Sequence, residues 1–163
     1  MTIGSSDNSS SKINGVIARD VITYSDNRGS FAEIIKASEK DFLVKFGQLS
    51  WSLSHQGVKK AWHIHKRQTD LMFVACGDAE IILYDNRENS STYKTIQRIL
   101  AGDNYGRKFV IIPPQVAHGY HVVNGPMHMI YMMDREYDPE DELRLPHDDP
   151  KIGFDWVSTQ KIK

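Results

Sequence analysis

Apolar and polar residues alternate along most of this chain in short runs, the two-residue period of strands with one buried face. Gln48–Ser54 shows it most plainly, with Leu49, Trp51 and Leu53 set between polar neighbours. The same reading predicts strands over Val21–Tyr24 and Ser30–Lys36, joined by the turn Asp26-Asn27-Arg28-Gly29. Further strands are predicted over Val58–His65, Asp70–Cys76, Glu80–Asp85, Tyr93–Leu100, Phe109–Ile112, Tyr120–Val123 and His128–Met133. Gly, Asn, Asp, Ser or Pro bounds each of them, and Gln115–Gly119 and Asn124-Gly125-Pro126 read as turns. Only Ala37–Leu43 and parts of the C-terminal tail carry a helical pattern. Residues 1–12, rich in Ser, Asn and Asp, have almost nothing to bury and read as a disordered lead-in to a single domain over 13–163. Many short strands without helices between them predict an all-β, antiparallel fold, closed or in two sheets.

Composition narrows the class of function without naming one. The chain has 163 residues, enough for one core, and its 20 Lys+Arg against 21 Asp+Glu leave a net charge of −1. That balance offers no basic surface for nucleic acid and no polybasic patch for a membrane. No apolar run approaches the roughly 20 residues of a membrane helix, and a single cysteine, Cys76, fits a reducing compartment. A cytoplasmic protein is the expectation.

The chemistry is concentrated in Gly57–Gly77 and Pro113–His118. His63 and His65 are one residue apart on an extended segment, so their rings share a face. Asp70 opens the following strand, and His118 follows the Pro113-Pro114 turn. Three imidazoles and a carboxylate converging at the mouth of a small barrel form a ligand set for a divalent transition metal with open positions. The spacing Gly, His-x-His, acid, Gly, followed by Pro-turn-His, resembles the two motifs of the cupin superfamily, except that Gln115 stands where a glycine is usual. The resemblance implies a cupin jelly-roll barrel.

A narrower resemblance runs through nearly the whole chain after residue 12. Arg28-Gly29-Ser30-Phe31 with Glu33, Gln48, the block before His63, Asp85-Asn86-Arg87 and Ser90–Tyr93 are similar to the dTDP-4-keto-6-deoxyglucose 3,5-epimerase family. So are Ala117–Tyr120, Tyr131, Tyr137-Asp138-Pro139, Asp148-Asp149-Pro150 and Ile152–Trp156. This resemblance implies a cofactor-free isomerase of nucleotide-sugar metabolism. A histidine at His63 would take the proton next to the 4-keto group, and a tyrosine at Tyr131 would return one from the opposite face. Arg28, Phe31, Glu33, Gln48, Lys60, Gln68 and His118 fall at substrate-contact positions. The expected partners are a nucleoside-diphosphate sugar and a second copy of the chain, as a homodimer.

The sequence departs from that family in four places. Lys60 stands for an arginine, Asp70 for the pocket lysine that steadies the enolate oxygen, and His65 for a glutamine. The aspartate that orients the catalytic histidine lies beyond the match to Trp156 and has no counterpart up to Lys163. Two of these changes restore the cupin metal set His63, His65, Asp70 and His118, and in that reading one divalent ion replaces the lysine as electrophile; His63 as a ligand could not also be the base. A metal-dependent isomerase working through an enediol is therefore one alternative, and a catalytically silent sugar-nucleotide-binding module is another. Sugar 3,4-ketoisomerases also carry His-x-His followed by Gln, matched by His63, His65 and Gln68. Elsewhere the plain readings are structural. His121, His128 and His147 are strand or surface histidines, and the methionines around Tyr131 are core. Trp51 and Trp62 pack inside, Cys76 is a small buried side chain, and Asp138–Glu142 is a solvated surface.

Overall fold

The structure is a computed structural model that describes residues 12–39 and 45–156. It contains ten strands and no helix among the described residues: β1 (Ile17–Asp20), β2 (Thr23–Asp26), β3 (Gly29–Ala32), β4 (Gln48–Ser54), β5 (Lys59–His65), β6 (Asp70–Asp85), β7 (Ile96–Gly102), β8 (Lys108–Ile112), β9 (Val116–Met133) and β10 (Glu142–Arg144). All pairings are antiparallel. Eight strands form one sheet in the order β1-β8-β6-β9-β5-β10, with β4 added to β9 and β7 to β6; β2 and β3 form a separate hairpin. The all-β antiparallel expectation therefore holds.

The long strands β6 and β9 carry the sheet from one layer to the other. Their first and last halves take different neighbours. Asp70–Phe73 pairs with β8 and Asp78–Tyr84 with β7, while β9 pairs β5 through Lys59–His63 and β4 through Met127–Met133. Between the halves the β6–β9 register shifts at Val74–Ala79. The predicted breaks at Gly77 and at Asn124-Gly125-Pro126 are thus not strand ends. They are bulges within continuous strands, and such bulges let one strand bend and serve two layers. Gly77 is required there: its φ is +75°, and a Cβ would lie 2.7 Å from the Asn124 carbonyl oxygen and 2.8 Å from that of Pro126.

Other corrections are local. β1 and β10 were not foreseen: Ile17-Ala18-Arg19-Asp20 shows no apolar–polar alternation, and the three residues of β10 are too few to show a period. Gln115–Gly119, expected as a turn, is a turn only to Gln115, and Val116 already belongs to β9. Ala37–Glu39 is not helical, and the rest of that predicted helix lies outside the described residues, as do residues 1–11 of the lead-in. No helix occurs in the tail through Trp156.

The main core lies between the layers and holds Val74, Ile81, Leu83, Val110, Ile112, Val122, Met127 and Met129. The methionines preceding Tyr131 are core residues, as their spacing suggests. A second cluster covers the outer face of β5. Trp62 and Ile64 pack there with Ile82, Ile152 and Trp156, and the Trp62 ring meets those of Phe154 and Trp156 at 5.9 and 5.1 Å. Period two does the rest: with residues 62 and 64 committed outward, 63 and 65 must point inward.

Candidate active site

A cavity of about 390 Å³ opens on that inner face. β5 contributes Lys60, His63 and His65; β6 contributes Asp70; β9 contributes His118, Tyr120 and Tyr131. Gly119 lets β5 come this close, since a Cβ there would stand 2.5 Å from the Lys60 carbonyl oxygen. From the other side β10 pairs with β5 in the register Glu142↔His65 and Arg144↔His63, which turns Glu142 and Arg144 to the same face as the two histidines.

His63 and Glu142 form a dyad. Nδ1 of His63 is 2.6 Å from Glu142 Oε1, and the guanidinium of Arg144 donates to both Glu142 oxygens at 3.2 and 3.1 Å. A carboxylate at Nδ1 holds the proton on that nitrogen and leaves Nε2 with its lone pair free. Burial pushes the His63 pKa below its ordinary value, and the raising effect of Glu142 does not overcome it, so the ring stays neutral near pH 7. A neutral, oriented imidazole lining a cavity is equipped to accept a proton.

Beside this dyad lies a second, separate group. Asp70 Oδ2 is 3.3 Å from His65 Nε2 and 3.1 Å from His118 Nε2, and Gln68 donates from Nε2 to Asp70 Oδ1 at 2.7 Å. Burial alone would raise the Asp70 pKa, but the contacts with His118 and His65 bring it well below the usual carboxylate range. Burial likewise opposes charge on His65, yet the carboxylates of Asp70, Glu142 and Asp141 together raise its pKa. Among the described residues, His65, Asp70 and His118 are the group whose donor atoms all lie within 4.8 Å of one another. His63 stands outside it, so the four-ligand set expected from the sequence is gathered only as three.

Tyrosines line a further part of the cavity. Tyr131 shares a hydrogen bond with Ser52 Oγ at 3.1 Å and Tyr120 one with Ser54 Oγ at 3.0 Å, both serines projecting from β4. Burial, reinforced by neighbouring Tyr120, pushes the Tyr131 pKa well up and keeps its proton in place. Tyr120 moves the other way: burial opposes it, but Ser54, Tyr131 and Lys60 lower its pKa. The Lys60 ammonium lies 5.7 Å from the Tyr120 ring centroid.

Comparison with known proteins fits this geometry. Residues 10–163 match the dTDP-4-dehydrorhamnose 3,5-epimerase family profile. The chain belongs to the dTDP-4-dehydrorhamnose 3,5-epimerase family. It is therefore an enzyme of the isomerase class acting on carbohydrates. It is 42% identical over 147 residues to the spore coat polysaccharide biosynthesis protein SpsL of Bacillus subtilis, covering 88% of this chain and 96% of that one. It is 32% identical over 149 residues to a dTDP-4-dehydrorhamnose 3,5-epimerase of Methanothermobacter thermautotrophicus, covering 88% and 80%. Among solved structures, a dTDP sugar isomerase from Desulfovibrio desulfuricans superposes with a TM-score of 0.85 at 25% identity, over 91% of this chain and 94% of the other. The 3,5-epimerase of Legionella pneumophila in complex with dTDP-4-keto-L-rhamnose gives 0.80 at 26% identity, over 94% and 84%. The fold is the cupin jelly-roll of these epimerases.

Set against the family, the residues read from sequence fall into two places. His63, Tyr131, Gln48, Lys60, Gln68 and His118 all line the cavity. Arg28 and Phe31 do not; they sit on the β2–β3 hairpin beside a different hollow, with Arg28 paired to Asp26 at 2.5 Å. Glu33 follows the hairpin and pairs with Lys36 at 2.7 Å.

The run Asp138–Glu142 corrects the sequence reading. Asp141 is buried, binds Arg67 Nε at 3.0 Å and accepts from the Gln68 backbone, and Glu142 is the partner of His63. Cys76 is exposed rather than buried, and Trp51 is 61% exposed while Trp62 is fully buried. His121 is a buried strand residue, and His147 is exposed. Glu142, Arg144, Tyr120 and Tyr137 were missed as site residues. A Glu-x-Arg spacing on a short strand was the available signal, and it is too common to single out.

Proposed function

We propose that this enzyme epimerises the sugar of a nucleoside diphosphate 4-keto-6-deoxy hexose by removing a proton alpha to the ketone. The observation that carries the reading is the His63–Glu142 dyad at 2.6 Å in a cavity that also holds a protonated tyrosine. His63 Nε2 is the base, and Glu142 is its positioning residue. As the C–H proton moves to Nε2 the ring becomes a cation, which the Glu142 carboxylate stabilises. Tyr131, with its phenol kept protonated, then delivers a proton to the carbanion carbon, and delivery from the opposite face inverts that centre. Lys60 and Arg144 are the cations available to the diphosphate or the enolate oxygen. No cofactor is needed for this sequence of steps.

The hairpin residues Arg28, Phe31 and Glu33 stand apart from the cavity of their own chain, so they contact substrate only if a second copy brings its hairpin to that cavity. Phe31 at 65% exposure, with Leu49, Trp51 and Leu53 exposed on β4, offers the apolar surface such a homodimer would cover. Light scattering at micromolar concentration tests the dimer: a monomeric mass removes it. Activity is tested by incubating dTDP-4-keto-6-deoxyglucose with the enzyme in D₂O and following the C3 and C5 protons by NMR. Loss of either signal, abolished by His63→Asn, supports the reading. An unchanged sugar spectrum with bound nucleotide supports the silent module instead.

A further inference from the structure

We propose that Tyr120 restores the proton of Tyr131 from behind, through a hydroxyl relay that begins at Lys60, so that the donor is recharged while the sugar still covers it. β4 shows why the phenols meet. Its apolar residues Leu49, Trp51 and Leu53 are exposed, and its polar set Gln48, Ser50, Ser52 and Ser54 faces inward. Gln48 and Ser50 reach the cavity, whereas Ser52 Oγ meets the Tyr131 hydroxyl at 3.1 Å and Ser54 Oγ that of Tyr120 at 3.0 Å. Alternate residues of a strand stand roughly 7 Å apart, so these serines bring the two phenols side by side. The phenols come from positions 120 and 131 of one strand, β9, which would separate them by roughly 36 Å if it ran straight. The bend of β9 at Asn124-Gly125-Pro126 returns both to the same cavity. There the Tyr120 hydroxyl takes Ser54, Tyr131 and the Lys60 ammonium as hydrogen-bond partners. Lys60 lies opposite Tyr120 in the β5–β9 register and is itself exposed to water.

Tyr120 is 3% exposed and Ser54 4%, and the proton transfers at His63 and Tyr131 use neither. What those transfers leave behind gives both a task. The substrate C–H bond breaks as an N–H bond forms on His63, and the Tyr131 O–H bond breaks as a C–H bond forms on the other face. His63 then holds one proton too many and Tyr131 one too few, with the sugar between them. Two hydroxyls reach the Tyr131 phenolate from the protein side, those of Ser52 and Tyr120. An aliphatic hydroxyl is a far weaker acid than a phenol, so Tyr120 is the one able to give. Its O–H bond breaks as that of Tyr131 re-forms, and an N–H of Lys60 supplies Tyr120 in turn. Lys60 takes its replacement from water and His63 returns its extra proton there, so the cycle closes without an outside reagent. Burial holds the proton on Tyr131, while Ser54, Tyr131 and Lys60 ease it off Tyr120, which is the direction the reload requires. Tyr120 thus acts through Tyr131, and its role rests on the epimerase reading.

The test compares full-length wild type with Tyr120→Phe on dTDP-4-keto-6-deoxyglucose in D₂O, by rapid quench and NMR. Two rates are read. The first inversion, with enzyme in excess, uses the proton already on Tyr131; the steady state at saturating sugar needs that proton replaced. In the variant the first should stay within about threefold of wild type and the second fall at least ~10-fold, leaving a burst of about one inversion per chain. A residue that only shapes the cavity would slow both phases alike and leave their ratio unchanged. That result, or a steady-state rate above about a third of wild type, overturns the relay. Lys60→Met changes an exposed side chain, should show the same burst at saturating sugar, and decides the point if Tyr120→Phe lacks the wild-type circular dichroism. A wild type that neither exchanges nor inverts the sugar removes the epimerase reading and the relay with it. An active wild type with an unchanged ratio in the variants removes the relay alone.

Discussion

Replacing Glu142 by glutamine removes one charge and almost no volume, so it isolates what the carboxylate does for His63. Glu142 Oε1 faces both His63 Nδ1 at 2.6 Å and Arg144 Nε at 3.2 Å, and Oε2 accepts from Arg144 Nη2 at 3.1 Å. A glutamine has one accepting atom for these demands, and its amide N–H₂ must face either the ring or the guanidinium. If it faces the ring, Nδ1 becomes the acceptor, the N–H moves to Nε2, and the base is lost. If it faces Arg144, the tautomer survives but the imidazolium formed during proton transfer loses its counter-charge. At an effective dielectric constant of about 20 and a separation of about 5 Å between the carboxylate and the arriving proton, that loss is about 3 kcal/mol. The His63 side chain is 33% exposed, and water screening brings the figure to about 2 kcal/mol. Either route predicts a fall of roughly 30- to 1,000-fold in the rate of proton exchange, with KM changed by less than about threefold. Stopped-time NMR in D₂O gives the rate, and nitrogen-15 NMR of the His63 ring reports the tautomer. A variant that keeps more than about a third of the wild-type rate, or whose defect lies in KM with kcat intact, would refute the positioning role.

Three other perturbations bear on separate parts of the molecule. Tyr131→Phe should abolish inversion while His63 still exchanges the substrate proton, so deuterium enters recovered substrate without epimer appearing; epimer formed at the wild-type rate would exclude Tyr131 as the donor. Gly77→Ala should lower stability by about 3 kcal/mol or more in urea unfolding, because the left-handed backbone and two carbonyl oxygens within 3 Å both oppose a Cβ. Fully buried Asp85 opposes its own ionisation, but Arg87, Ser90 and Thr92 hold its pKa well below the usual range. Its carboxylate therefore contributes stability above about pH 4 that is lost as the pH falls through the folded-state value. Asp85→Asn should cost about 2–4 kcal/mol at pH 7 and flatten the decline between about pH 4 and 2, and an unchanged slope would count against the assignment.

Most of the site was legible because it is local. His63, His65 and Asp70 are within eight residues of sequence, and strand alternation alone puts both rings on one face. His118 was brought in by the resemblance of Pro113–His118 to the second cupin motif. Legibility failed where pairing across the sheet decides. Glu142 and Asp141 belong to an acidic stretch that any single-sequence reading takes as solvated, and only the β10–β5 register brings Glu142 to His63 and seals Asp141 against Arg67. The bends at Gly77 and Gly125 looked like strand ends because glycine and proline interrupt the alternation in a bulge as they do in a turn. Cys76 and Trp51 were placed inside on hydropathy alone, and both stand exposed.

The sequence by itself determined the all-β class, the inward face of β5 and the residue types that meet in the cavity, since these depend on alternation and on chemistry carried within a few residues. Tertiary structure decided how those residues divide. It set His63 with Glu142 and, separately, His65 with Asp70 and His118, because a hydrogen bond depends on ångström distances between strands far apart in the chain. It also set Arg28, Phe31 and Glu33 outside the cavity of their own chain. Which residues each cavity side chain faces is thus fixed by the register of β5 against β9 and β10, and no period along one strand contains that information.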